Sequence, residues 1–189
     1  MKLAWLPNAI CIARILLVLP SMLALLAGRY ELTLLLFGVA AISDALDGWL
    51  AKTFGWTSRL GKILDPIADK LLLVCVFLTL AWLGRVPVWL VATVVLRDLL
   101  IVSGAAAYHF LIGYLEGHPT PVSKLNTLLQ LLLVLAVTAA AAWPAVPSAL
   151  LVALGAATFV TTVVSGIDYV MTYARAAVRA RRGHAPAVS

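Results

Sequence analysis

Charge is scarce in this sequence, and acidic charge scarcest of all: 12% of the residues are charged, and only eight of 189 are Asp or Glu. A water-soluble domain is about a quarter charged, so an ordinary soluble globule is excluded. Cysteine is nearly missing as well. The two present, Cys11 and Cys75, fall within apolar runs, which excludes a disulfide framework and reads as two small buried hydrophobes. His109, His118 and His184 have no partner spacing, so no zinc-type cluster is expected. There is no internal repeat, and low complexity is confined to the Ala run 139–142 and the tail from Gly183.

What fills the chain instead is apolar. Hydrophobic residues make up 63% and the mean hydropathy is +1.06, which places the chain in lipid. A membrane-crossing helix needs about 20 mostly apolar residues. Six candidate spans fit, at 8–27, 32–52, 61–83, 87–112, 123–142 and 148–172, separated by breaks rich in Gly and Pro that read as turns. The expected fold class is therefore all-α integral membrane. A cleavable signal peptide is not expected, because the first apolar run, Ile10 to Leu26, is followed almost at once by a second.

The net charge of +6 could point to nucleic acid, but the cations flank apolar segments, where anionic lipid headgroups account for them better. Six spans put Lys2, Lys52, Arg59, Lys62, Lys124, Arg175, Arg179, Arg181 and Arg182 on one side, and only Arg29 and Arg85 on the other. That asymmetry predicts that both termini are cytoplasmic. A membrane domain over 1–174 is expected, followed by a basic cytoplasmic tail over 175–189. Trp56, Trp82, Trp89 and Tyr173 stand near span ends as interfacial anchors.

Four of the eight acidic residues sit in the second and third spans. A carboxylate inside the hydrocarbon costs several kcal/mol and marks function by default. Asp44 and Asp47 are three residues apart, Asp65 and Asp69 four, so each pair shares one helix face. With a rise of ~1.5 Å per residue, the first pair lies ~12 and ~7.5 Å from Lys52, and the second ~6 and ~12 Å from Gly61. Two antiparallel neighbours would therefore bring the pairs to matching depth. Four carboxylates in one confined site require cations, and hard oxygen ligands in that number suit Mg²⁺, Mn²⁺ or Ca²⁺. Gly48, Ala51 and Gly61 keep side-chain bulk away from the site, although small residues also serve plain helix packing.

The run Asp44-x2-Asp47-Gly48-x2-Ala51-Lys52-x8-Gly61-x3-Asp65-x3-Asp69 resembles the signature of the CDP-alcohol phosphotransferases. Lys52 stands where Arg is commoner, keeping the charge and giving up the bidentate fork. Pro7-Asn8 with Arg14, Arg97-Asp98, Ser123-Lys124-x-Asn126-Thr127-x2-Gln130 and Ser165-Gly166-x2-Tyr169 are similar to the branches that make phosphatidylglycerophosphate and cardiolipin. The resemblance implies six transmembrane helices, an active site at the cytoplasmic side, two bound divalent cations (Mg²⁺ or Mn²⁺), and cleavage of a CDP-linked lipid with release of CMP.

By that resemblance Asp44, Asp47 and Asp65 are metal ligands, Asp69 is both ligand and general base, and Gly48, Lys52 and Gly61 line the cytidine diphosphate pocket. Acceptor recognition falls to cations facing the same cavity: Arg97, which interrupts the fourth span, Lys124 at the start of the fifth, and Arg14 in the first. Arg97 could instead pair with Asp98 or snorkel, and Asp168 reads as an interfacial helix charge. The expected partners are CDP-diacylglycerol, a hydroxyl acceptor and membrane lipids, in a bacterial inner membrane; dimers are known in the family, so a homodimer is compatible. Glycerol 3-phosphate is the leading acceptor. Phosphatidylglycerol, the cardiolipin synthase acceptor, is the alternative, toward which Thr120-Pro121 and Asn126 lean. A cation channel or carrier is the reading from another class, opposed by the absence of acids continuing to the far side. A noncatalytic scaffold has no need of buried carboxylates.

Overall fold

The computed structural model describes the backbone of residues 6–54, 61–111 and 120–183, and the side chains of 12–13, 15–43, 70–104 and 120–172. Among the described residues the chain forms six α-helices: α1 (Leu6–Leu26), α2 (Tyr30–Phe54), α3 (Gly61–Trp82), α4 (Val88–Leu111), α5 (Pro121–Ala142) and α6 (Ser148–Gly183). Five agree with the apolar runs to within two residues at each end. The sixth runs eleven residues past the expected 172, through the basic stretch expected as a separate tail, because Ala and Arg are good helix formers in or out of lipid.

Helices α5 (Pro121–Ala142) and α6 over Ser148–Thr172 are long and apolar enough to cross a membrane. Large apolar side chains are exposed on the described helices, among them Leu16, Leu35, Leu78, Val102, Leu128 and Val152. Monomers in water rarely leave apolar surface on this scale uncovered.

The chain divides into two compact units, Met1–Val88 with Leu131–Leu151, and Trp89–Gln130 with Val152–Ser189. In the first, α1 packs against both α2 and α3, around a core that includes Leu25, Phe37, Val76, Phe77 and Leu80. Two of its turns, at Gly28 and Gly84, are built alike. Gly28 and Gly84 have φ of 70° and 67°, and each ends its helix in the same pair of bonds. The Gly28 N–H donates to the Leu25 carbonyl and the Arg29 N–H to that of Ala24; Gly84 and Arg85 repeat this on Ala81 and Leu80. This is a Schellman closure, which needs a left-handed residue just past the helix. A Cβ at either glycine would meet nothing within 4 Å. Each Gly→Ala change is therefore expected to cost only the left-handed backbone, about 1–2 kcal/mol, and thermal unfolding should show similar losses for the two. The turns meet: Arg85 Nη2 donates to the Tyr30 hydroxyl at 3.2 Å, and its guanidinium lies 5.5 Å from the centre of that ring. Arg29 and Arg85, the two cations expected to share a side, thus lie on two turns that come together at one end of this unit.

In the second unit α4 and α6 run parallel. Trp89 meets Phe159 edge-to-face at 5.3 Å; further along, a Cβ on Gly166 would lie 3.6 Å from Arg97 Cγ. The first half of α5 runs antiparallel to α6 within the same unit, joined to it by side-chain hydrogen bonds. Its start is well defined: Thr120 caps it, its Oγ1 accepting the Ser123 N–H at 3.3 Å, and Pro121 occupies the first helical position, where a missing N–H costs nothing.

Candidate functional site: an aspartate quartet and a buried arginine hub

The backbone at all four sequence-selected aspartates is helical, Asp44 and Asp47 in α2 and Asp65 and Asp69 in α3. Helical spacing places the members of each pair on one face of its helix. Their side chains, and those of Gly48, Lys52, Gly61 and Arg14, lie outside the described residues. The donor set is itself a fit to a hard divalent cation: carboxylate oxygens only, in a number that suits octahedral or higher coordination. Among the described residues no group of three or more His, Cys, Asp or Glu offers another metal site.

Arg97 is fully in view, and it is a hub. The side chain is buried at 4% relative exposure inside an apolar helix, where an unpaired cation would be very costly. Its Nη1 donates to Asp98 Oδ1 at 2.7 Å. Its Nη2 donates to Ser123 Oγ at 2.6 Å and also to Ser165 Oγ. The Tyr169 ring lies 5.7 Å from the guanidinium carbon, within range of a cation–π contact. Three short sequence motifs, separated by up to 68 residues, therefore meet on one side chain. The two expectations for Arg97 are both partly realised: it pairs with Asp98, and it also gathers polar groups from α5 and α6. Of the five guanidinium N–H donors, the one on Nε has no partner among the described residues.

Next along the seam is Asn126, fully buried on α5. Its Oδ1 accepts from Thr161 Oγ1 at 2.9 Å and Thr162 Oγ1 at 2.8 Å. Replacing Asn126 with Leu strands the Thr162 hydroxyl, while that of Thr161 keeps the Ala157 carbonyl at 2.8 Å, and a loss of about 1–3 kcal/mol should appear as a lower unfolding midpoint in detergent. Lys124 is exposed beside Ser123, and Asp168 is half-buried. Sequence reasoning gave Thr158, Thr161 and Thr162 no role. The signal was there in the spacing, 123, 126 and 130 on α5 against 158, 162 and 165 on α6, each a polar stripe on one face of an apolar helix.

Beside Arg97, between α4 and α6, runs a groove of about 320 Å³ lined by Leu96, Leu100, Val163, Gly166, Ile167 and Val170 among others. It is almost wholly apolar.

A helical fold with apolar outer faces, two aspartate pairs on its helices and a buried arginine hub is that of a membrane-compatible helical protein. Comparison with known proteins narrows this class. Residues 4–164 match the CDP-alcohol phosphatidyltransferase model, and the chain belongs to that family. It is 30% identical to a cardiolipin synthase (CMP-forming) of Rattus norvegicus over 94% of this chain and 64% of that protein. It is 31% identical to the Homo sapiens cardiolipin synthase over 74% of this chain and 52% of that protein. With a probable phosphatidylglycerophosphate synthase of Mycobacterium tuberculosis it shares 29% over 89% and 81% of the two chains. The chain thus spans about two thirds or less of the cardiolipin synthases it matches.

Proposed function

We propose that the protein is a phosphatidyltransferase of phospholipid synthesis, moving the phosphatidyl group from CDP-diacylglycerol to an acceptor hydroxyl with release of CMP. The observation that carries this is the aspartate signature, two helical carboxylate pairs with Gly48, Ala51, Lys52 and Gly61 between them, inside the family match. All six helices serve as spans in this reading, with both termini and the active site cytoplasmic, in a bacterial inner membrane.

Asp44, Asp47, Asp65 and Asp69 would hold two Mg²⁺ or Mn²⁺ ions, which when bound screen the diphosphate and stabilise the leaving phosphate. Asp69 takes the proton of the acceptor hydroxyl. The acceptor oxygen then bonds to the phosphorus that carries diacylglycerol, the bridging P–O bond breaks, and CMP leaves with that electron pair. Gly48, Lys52 and Gly61 line the cytidine diphosphate pocket. Arg97, with Lys124 and Arg14, draws the acceptor's anionic group.

Glycerol 3-phosphate is the first acceptor reading. A second, phosphatidylglycerol, is favoured by the surroundings of Arg97. A phosphomonoester dianion is best held by several charged donors, whereas the residue next in line is the neutral Asn126, committed to two threonines. The apolar groove beside Arg97 offers an acyl chain of a lipid acceptor a seat and is of no use to a small polar one. Purified protein supplied with CDP-diacylglycerol and each acceptor in turn tests the choice. Phosphatidylglycerophosphate as sole product supports the first reading, cardiolipin the second, and no product with any acceptor refutes the proposed activity.

A further inference from the structure

The seam between α5 and α6 does not end at Asn126. Its register is antiparallel: Ser123 and Ser165 share Arg97, and three residues on, Asn126 bonds Thr162. Four residues further along each helix, the same register brings Gln130 opposite Thr158. Both are fully buried, and with α5 and α6 crossing the membrane as proposed above, both lie near its mid-depth. Gln130 is ~13.5 Å along α5 from Pro121 and Thr158 ~15 Å along α6 from Ser148, at ~1.5 Å per residue, in a hydrocarbon core about 30 Å thick.

Here the polar atoms have no hydrogen-bond partners among the described residues. Gln130 Oε1 and Nε2, Thr158 Oγ1 and Asn126 Nδ2 are all buried without a hydrogen bond. Turning the Asn126 amide over would not cure this, because one end faces the threonines whichever way it lies. Thr158 is unusual in its own right. Thr33, Thr79, Thr93, Thr127 and Thr138 each return their hydroxyl to the carbonyl four residues back, the ordinary habit of Thr in an apolar helix. Thr158 does not, so its hydroxyl is left for the seam.

We infer that this stretch of the α5–α6 seam is an internal water site, in which at least one ordered water bridges Asn126 Nδ2, the Gln130 amide and Thr158 Oγ1. Buried water makes about three hydrogen bonds to otherwise unsatisfied groups, and three side chains on facing helices supply four such atoms. Water accepts from the two amide N–H groups and donates to Gln130 Oε1 or Thr158 Oγ1, completing a polar line that starts at Arg97. Polar groups then follow one another along the seam from Arg97 through Asn126 to Gln130 and Thr158. The site stands whichever acceptor the enzyme uses.

Gln130 is the only glutamine in the chain, so glutamine labelled with ¹⁵N in its side-chain amide gives one side-chain signal from the full-length protein in lipid bilayers. Polarisation transfer from water in solid-state NMR should reach that amide as fast as it reaches exposed sites, despite its burial. The companion measurement is thermal unfolding of Gln130→Met, which keeps the side chain's length and removes its polar end. With water in place the variant takes away the amide's share of its hydrogen bonds and leaves it only Asn126 and Thr158, and the midpoint falls by about 2–4 °C or more. Fast transfer together with a lower midpoint supports the site. Slow transfer overturns it in favour of a dry seam with a direct Gln130–Thr158 bond, and a raised midpoint overturns it by showing that the amide was an unsolvated burden.

Discussion

Asp69→Asn is expected to bring CMP release down to background while CDP-diacylglycerol binding remains measurable. The substitution keeps the side chain's size and one oxygen for coordination, and removes the basicity needed to take a proton. General base catalysis contributes a factor on the order of 10²–10⁴, and loss of a charged ligand adds to that. A carboxylate next to divalent ions is a weak base, so its contribution comes from position. Asp44→Asn provides the contrast. As a ligand only, its defect should shrink as Mg²⁺ or Mn²⁺ is raised, whereas that of Asp69→Asn should not. Turnover of Asp69→Asn near that of the parent would remove Asp69 from the role of base.

Arg97→Met should be the most damaging substitution for the fold. Methionine replaces the aliphatic stem and deletes the cation, taking the Arg97 counter-charge from Asp98, only 13% exposed, and the donor from two serine hydroxyls. Breaking one side of a buried ion pair costs about 3–5 kcal/mol, which for a chain of this size lowers the unfolding midpoint by roughly 10 °C. Because the attack is on the partner left behind, Arg97→Met with Asp98→Asn should recover part of the loss. A single variant as stable as the parent would show that the hub contributes nothing to the fold. If it also bound both substrates normally, Arg97 would have no role in the acceptor site either.

The helices were legible because the apolar runs are long and their interruptions chemically distinct: Gly28 and Gly84 close helices in a conformation that glycine adopts most readily. The end of α6 was not legible from hydropathy, which marks where a helix leaves lipid and not where it stops. Residues 173–183 stay helical on the propensity of Ala and Arg. The aspartates were legible because charge in an apolar run is conspicuous, and Arg97 for the same reason. Asp98 was legible as its neighbour in sequence, and the two serines were not. Ser123 and Ser165 are small hydroxyls that a membrane helix tolerates anywhere, since each can bond its own backbone. Only the register between α5 and α6 turns them into ligands of one guanidinium. Thr158 was silent on the same ground, although Ser123-x2-Asn126-x3-Gln130 already formed a stripe on one face.

One measurement meets the proposed reaction directly: release of CMP from CDP-diacylglycerol by the purified protein in lipid, with and without divalent cation. The aspartate quartet predicts release that requires Mg²⁺ or Mn²⁺ together with a hydroxyl acceptor, stops on chelation, and returns when the metal is restored. CMP release that continues unchanged after chelation, or none with any acceptor in the presence of either metal, would contradict it.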